Sequence, residues 1–261
     1  MPLSVYFTSS CLGAVMPQDL VFVLIGQSNM VGWTESLFSE LPDWLKVKPV
    51  QVEFHQHGRK MEFNQQTGGR IGPEVSFTKY LAAWYPGRKI RVVKLAVGGT
   101  SIYDWAKEWN PRLSFRMTES TIQSSLYALL KQQIAVSQVL TQGNTVNAFI
   151  WMQGERDSRY PLAADAYLGN LKAFIYDLRR EYASPNAAFI LGRINPPKAQ
   201  HPAVDTLRKA QEVVTTQMPR TVWVSTDDLS KAADQIHYDT LGEVGLGRSF
   251  AYAVRRFYPV T

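Results

Sequence analysis

The stretch Leu20-Val21-Phe22-Val23-Leu24-Ile25, running straight into Gly26-Gln27-Ser28-Asn29-Met30, decides the fold. A short apolar run with β-branched residues at alternate positions, closed by a glycine and polar residues, reads as a strand buried on both faces. Strands of that kind belong to parallel sheets, whose crossovers cover both faces with helices. Working outward, similar runs recur at residues 90–97, 146–152, 188–194 and 221–225. Helical patterns lie between them. The clearest covers 163–182, where Leu168, Leu171, Phe174, Ile175, Leu178 and Tyr182 fall on one face. Others are expected at 74–84, behind a Pro73 suited to a first helical turn, and at 120–140, 203–217 and 242–257. This alternation predicts an α/β fold, a three-layer α/β/α sandwich around a central parallel sheet. Residues 34–72, with weak periodicity, Pro42, Pro49 and Gly68-Gly69, read as an excursion off the sheet.

Composition narrows the class. The 261 residues are 45% hydrophobic and 19% charged, which excludes a disordered, collagen-like or coiled-coil chain. The net charge of +6 comes from scattered Lys and Arg with no basic run, so nucleic acid is not expected as a partner. A single cysteine, Cys11, excludes an internal disulfide and a cysteine-based zinc cage. No stretch approaches the roughly 18 apolar residues of a membrane span. Residues 1–19 form an N-terminal extension before the domain expected at 20–261. The extension reads either as a degenerate signal segment or as an ordinary terminus, since its apolar start lacks a preceding Lys or Arg. The first reading favours a secreted or periplasmic location over the cytoplasm. Nothing in the sequence sets an oligomeric state.

Sites in open parallel sheets form where the strands end, so the residues after each strand carry the chemistry. They are Gly26-Gln27-Ser28-Asn29, Gly98-Gly99-Thr100-Ser101, and Gln153-Gly154-Glu155-Arg156-Asp157, with Asp234-Gln235-Ile236-His237 before the last helix. Ser28 alone would serve equally as a helix cap. A carboxylate three residues before a histidine can reach its Nδ1 and leave Nε2 free to accept a serine proton. An α/β-hydrolase elbow is excluded, because Met30 stands where it needs glycine and its Asp and His are not three residues apart. His55 and His57 would share one face of a strand, but two imidazoles without a third ligand do not make a metal site. No metal and no cofactor are expected.

These blocks, Gly26-Gln27-Ser28-Asn29, Gly98-Gly99-Thr100-Ser101, Trp151 to Asp157 and Asp234-x-x-His237, together resemble those of the SGNH hydrolases, whose fold is flavodoxin-like. More narrowly they are similar to carbohydrate esterase family 6 acetylxylan esterases and sialate O-acetylesterase-like domains. Gly72-Pro73-Glu74-Val75 and His237-Tyr238-Asp239 through Gly242 match the same branch, and the likeness spans about Leu20 to Tyr252. The resemblance implies a serine esterase that removes acetyl groups from carbohydrate through an acyl-enzyme. Ser28 would be the nucleophile, His237 the base and Asp234 its orienting acid. The amides of Ser28 and Gly99 and the side chain of Gln153 would form the oxyanion hole. Glu155 is a second candidate for the acid, although the local spacing favours Asp234. Otherwise Glu155 would support Gln153 and nearby backbone, with Gln27 beside it. Trp33 is the best candidate to stack on a sugar, while Trp105 and Trp109 read as the buried face of one helix. Arg70 and Arg156 would suit an acidic sugar. Two rivals remain: a sialate O-acetylesterase, and an inactive carbohydrate-binding protein on the same scaffold.

Overall fold

Leu20–Gly26 forms β1, buried along its whole length. In chain order there follow α1 (Ser28–Val31), α2 (Asp43–Lys46), β2 (Val52–Gln56), β3 (Arg59–Lys60), α3 (Glu74–Trp84), β4 (Ile90–Ala96), α4 (Pro111–Thr118), α5 (Leu126–Ser137), β5 (Val146–Met152), α6 (Pro161–Glu181), β6 (Ala188–Gly192), α7 (Val204–Gln217), β7 (Thr221–Val224) and α8 (Thr240–Arg255). These elements come from a computed structural model that describes residues 18–140 and 143–259. Cys11 and all but the end of the proposed signal segment lie outside the described residues. Among those described, no helix is long and apolar enough to cross a membrane.

The seven strands form one sheet in the order β3-β2-β4-β1-β5-β6-β7, parallel throughout except for β3. Strand register decides which face each side chain takes, because side chains alternate along a strand. Phe22 pairs with Ala148 and therefore points away from the face that Phe149 and Trp151 share. Phe77 of α3 meets Phe22 edge-on at 5.3 Å, whereas Phe174 of α6 packs against Trp151 and Phe189. Hence α3 and its partner α8 cover one face, and α6 with α7 the other. Gly26 lies beside both Ala96 and Met152, so the loops after β1, β4 and β5 leave the sheet at one level. Glycine is required there, since a Cβ on residue 26 would sit 2.1 Å from the Met152 carbonyl oxygen.

Four local expectations change. The 34–72 segment is not wholly off the sheet, because β2 and β3 extend its edge as a hairpin. Its two-residue turn, His57-Gly58, has φ of 54° and 72°, the left-handed pair that suits tight hairpins. His57 therefore leaves the strand face, and His55 Nε2 pairs with Glu53 at 2.8 Å, so the two imidazoles do not face one another's site. The helix expected at 120–140 starts only at Leu126, where the Ser125 side chain accepts from the Ala128 N–H. An unforeseen α4 precedes it, started by Pro111 and capped by Asn110. Trp105 and Trp109 do not share a helix: Trp105 ends a 3₁₀ turn, fully buried against Trp151, and Trp109 lies in the loop beyond.

Candidate active site

Ser28 is the first residue of α1, and the tight strand-to-helix turn at Gln27 lifts it to the sheet edge. Its Oγ lies 2.9 Å from His237 Nε2. On the other side of the ring, His237 Nδ1 lies 2.5 Å from Asp234 Oδ2. The second oxygen of Asp234 accepts the N–H groups of Ile236 and His237, each at 2.9 Å, which winds the loop around the carboxylate. Burial pushes the Asp234 carboxyl up, but the hydrogen bonds from His237 and Ile236 outweigh it and hold the group below the usual range. Asp234 is thus ionised where the imidazole needs an anion.

Gly99 sits beside this pair with φ of 67°, and a Cβ placed on Gly98 would approach the Ser28 Cβ to 3.8 Å. Among the described residues, the backbone N–H groups of Ser28 and Gly99 donate to no protein acceptor. Ser28, Gly99, Trp33, Glu155, Arg159 and His237 line one cleft of about 310 Å³. That volume suits an acyl group with a sugar ring behind it.

Gln153 departs from its expected role. Its Nε2 donates to the Thr100 carbonyl at 2.9 Å and to Asp157 at 2.5 Å, and its Oε1 accepts from the Tyr167 hydroxyl at 2.9 Å. Both amide hydrogens are spent inside a fully buried side chain, so none points at the cleft. The sequence reading also misassigned its support: Asp157, not Glu155, holds Gln153. Asp157 further accepts from the Ser101 hydroxyl at 3.0 Å and from the Ile102 N–H, which pins the loop after β4. Burial pushes Asp157 up to about 7 against those donors.

Glu155 contacts neither Gln153 nor His237. It accepts from Gln27 Nε2 at 2.7 Å and Asn29 Nδ2 at 2.8 Å, the residues on either side of Ser28, and burial pushes it up to about 7. Asn29 had been quoted without a role. Its amide donates to the Ile236 carbonyl and its oxygen accepts the Tyr238 N–H, each at 3.1 Å, so it grips both neighbours of His237. The signal was a polar residue next to Ser28 on a buried turn, but its partners are 126 to 209 positions away.

The aromatic and cationic expectations also resolve. Trp33 lies flat against His237, ring centroids 3.6 Å apart and planes 9° apart, so that face is not free for a sugar. Trp151 is buried in the core. Arg156 spends its guanidinium on three backbone carbonyls, those of Gly99, Thr118 and Glu119, at 2.9, 2.9 and 2.5 Å. It straps the loop after β4 to the end of α4 while still lining the cleft. Arg70 bridges the Leu37 backbone outside the cleft lining. Arg159, which was not singled out, is exposed at the cleft and pairs with no carboxylate among the described residues. Nor do these residues contain a cluster of three or more His, Cys, Asp or Glu placed to hold a metal ion.

A family model described as carbohydrate esterase, sialic acid-specific acetylesterase, matches residues 18–256. A probable carbohydrate esterase of Arabidopsis thaliana is 25% identical over 259 residues, 91% of each chain. Among solved structures, an Arabidopsis thaliana protein superposes with a TM-score of 0.75 at 21% identity, over 94% of this chain and 100% of that one. A carbohydrate acetylesterase from Xanthomonas citri gives 0.68 at 20% identity, over 91% of this chain and 56% of that one. The two structural likenesses establish a shared fold.

Proposed function

The chain belongs to the carbohydrate esterase family of sialic acid-specific acetylesterase type, a family of carboxylic ester hydrolases, and from that premise we propose that it removes O-acetyl groups from carbohydrate hydroxyls through a serine acyl-enzyme. The observation that carries the mechanism is the unbroken relay from Asp234 to His237 to Ser28, at 2.5 and 2.9 Å. Ser28 Oγ attacks the acetyl carbonyl as His237 Nε2 takes its proton, and Asp234 holds the ring in the tautomer this requires. Negative charge then develops on the carbonyl oxygen, where the unengaged N–H groups of Ser28 and Gly99 supply donors. Collapse expels the sugar alkoxide, which His237 protonates. Water repeats the sequence on the acyl-enzyme, releasing acetate and restoring Ser28.

For the substrate, the first reading is an acetylated neutral carbohydrate such as xylan, supported by a cleft of about 310 Å³ that matches an acyl group and one sugar ring. A second reading, an O-acetylated acidic sugar such as a sialic acid, is favoured by Arg159, an exposed cation at the cleft that forms no salt bridge among the described residues. Acetate release from acetylated xylan oligosaccharides, O-acetyl sialic acid and an aryl acetate separates the readings. Aryl acetate turnover that disappears in Ser28→Ala, together with Ser28 labelling by a fluorophosphonate, is expected. A folded wild-type protein with neither property would be a carbohydrate-binding protein on this scaffold.

A further inference from the structure

Two hydrogen bonds hold the His237 ring, and they leave one motion open. Nδ1 meets Asp234 and Nε2 meets Ser28, so both bonds act near one axis through the imidazole. Rotation about that axis tilts the ring plane and degrades the angle at Nε2, and hydrogen bonds weaken steeply with misalignment. The loop backbone is held, by Asn29 on both sides of His237 and by the Ala232 N–H on the His237 carbonyl at 2.8 Å, but these contacts fix where the ring starts and do not touch its plane.

Trp33 supplies what the two bonds do not. Its indole lies on the imidazole at 3.6 Å and 9° from parallel, a contact that opposes tilt directly. The Trp33 backbone that carries the indole is anchored, since its carbonyl accepts from both the N–H and the hydroxyl of Ser36, at 3.0 and 2.8 Å. Trp33 also stands only five positions after Ser28, just beyond the Gly32 N–H that closes α1 onto the Ser28 carbonyl. Nucleophile and backing plate therefore move as one short segment.

We propose that Trp33 is a positioning residue for His237, acting on the base rather than on the sugar. The inference rests on the Ser28–His237–Asp234 reading above. As Ser28 Oγ bonds to the carbonyl carbon, its proton passes to Nε2 and the ring becomes an imidazolium until the leaving alkoxide takes that proton. A cation against an indole face is stabilised by the ring quadrupole, and this charge exists only along the reaction path. An interaction confined to the transition state raises kcat and leaves KM nearly unchanged.

An aryl acetate tests this, because it has no sugar to stack. Trp33→Leu is expected to lose roughly tenfold or more in kcat with KM within about twofold, and Trp33→Phe, which keeps a ring, to recover most of the rate. Fluorophosphonate labelling of Ser28 should slow in the same proportion, and Ser28→Ala should abolish it. Trp33→Leu that turns over aryl acetate at the wild-type rate, whatever it does on carbohydrate, overturns the proposal while leaving the triad intact. Equal losses in Leu and Phe variants accompanied by equal drops in thermal midpoint also overturn it, by assigning Trp33 a structural role. Absence of Ser28 labelling in the wild type removes the triad and the proposal together.

Discussion

Asp234 and Glu155 are both carboxylates near Ser28, but they spend their oxygens differently. Asp234 meets the imidazole, whereas Glu155 meets only Gln27 and Asn29 among the polar side chains of the site. Asp234→Asn should therefore favour the wrong tautomer and lower kcat by a factor on the order of 10⁴. Glu155→Gln should stay within roughly tenfold, since the altered contacts position Ser28 and Asn29 without touching the reacting atoms. Steady-state kinetics of both variants on one aryl acetate decide it, and the reverse ranking would make Glu155 the acid. A second residue-scale expectation concerns Gln153. Removing its amide takes a donor from the Thr100 carbonyl inside the protein and one of several partners from Asp157, which keeps Ser101 and Ile102, and from Tyr167, which keeps the residue 153 carbonyl. Each buried group left unpaired costs about 1–3 kcal/mol, so Gln153→Ala should unfold at a clearly lower temperature. A variant of wild-type stability whose kcat alone falls a hundredfold would restore Gln153 as an oxyanion donor. The sequence reading went astray here because residue type identified the block, while which of its polar atoms face inward depends on Tyr167 and Asp157.

At the level of elements, α3 and β4 are joined by charges that no solvent reaches. Lys94 pairs with Leu24 across the sheet and so points to the α3 face, where its Nζ meets Glu74 at 2.6 Å, both side chains fully buried. Lys94 also donates to Gln66 and to the Val31 carbonyl at the end of α1, each at 3.2 Å. The pair therefore ties the first turn of α3 to the back of the helix that carries Ser28. Breaking a buried pair leaves one charge uncompensated, so Lys94→Met alone should cost about 3–5 kcal/mol. The double change Lys94→Met with Glu74→Leu should recover much of that loss, because it removes both desolvation penalties. Urea unfolding of the two variants measures this, and equal losses in both would contradict it. The start of α3 was legible, since Pro73 and Glu74 are local signals for a first turn. The hairpin of β2 and β3 was not, because Glu53, His55 and Gln56 interrupt its apolar pattern. Those polar residues are tolerated because Glu53 pairs with His55, Lys89 and Arg91, contacts fixed by the neighbouring strand.

Across the whole molecule, the legible parts of the site are those whose partners are close in sequence. Asp234 and His237 are three residues apart, and each strand-end block is contiguous. Asn29 with Ile236 and Gln27 with Glu155 span 207 and 128 positions, and they join only after the sheet places their loops side by side. The same buried network sets how global stability follows pH, through groups that pull in opposite directions. His201, fully buried, shares its Nδ1 with the Glu155 carbonyl and the Ser158 hydroxyl, each at 2.8 Å. Burial lowers it from 6.5 to about 4, so between those values the unfolded chain holds a proton the folded one does not. Its contribution is present above about 6.5 and is lost as pH falls toward 4. Asp157 behaves inversely, because burial raises it from 3.8 to about 7. The folded protein then holds the extra proton, and that contribution is full below about 3.8 and lost as pH rises through 7. At about 1.4 kcal/mol per pKa unit, the effect is at most roughly 3–4 kcal/mol for His201 and roughly 4–5 kcal/mol for Asp157. Replacing either group removes its slope whatever else the substitution costs. The stability gap between wild type and His201→Asn should therefore shrink as pH is lowered from 7 to 4.5. The gap for Asp157→Asn should instead shrink as pH is raised from 4.5 to 8. Urea unfolding free energies of the three proteins across that range supply the comparison. Gaps that stay constant with pH, or both narrowing in the same direction, would show that these two groups do not carry the titration assigned to them.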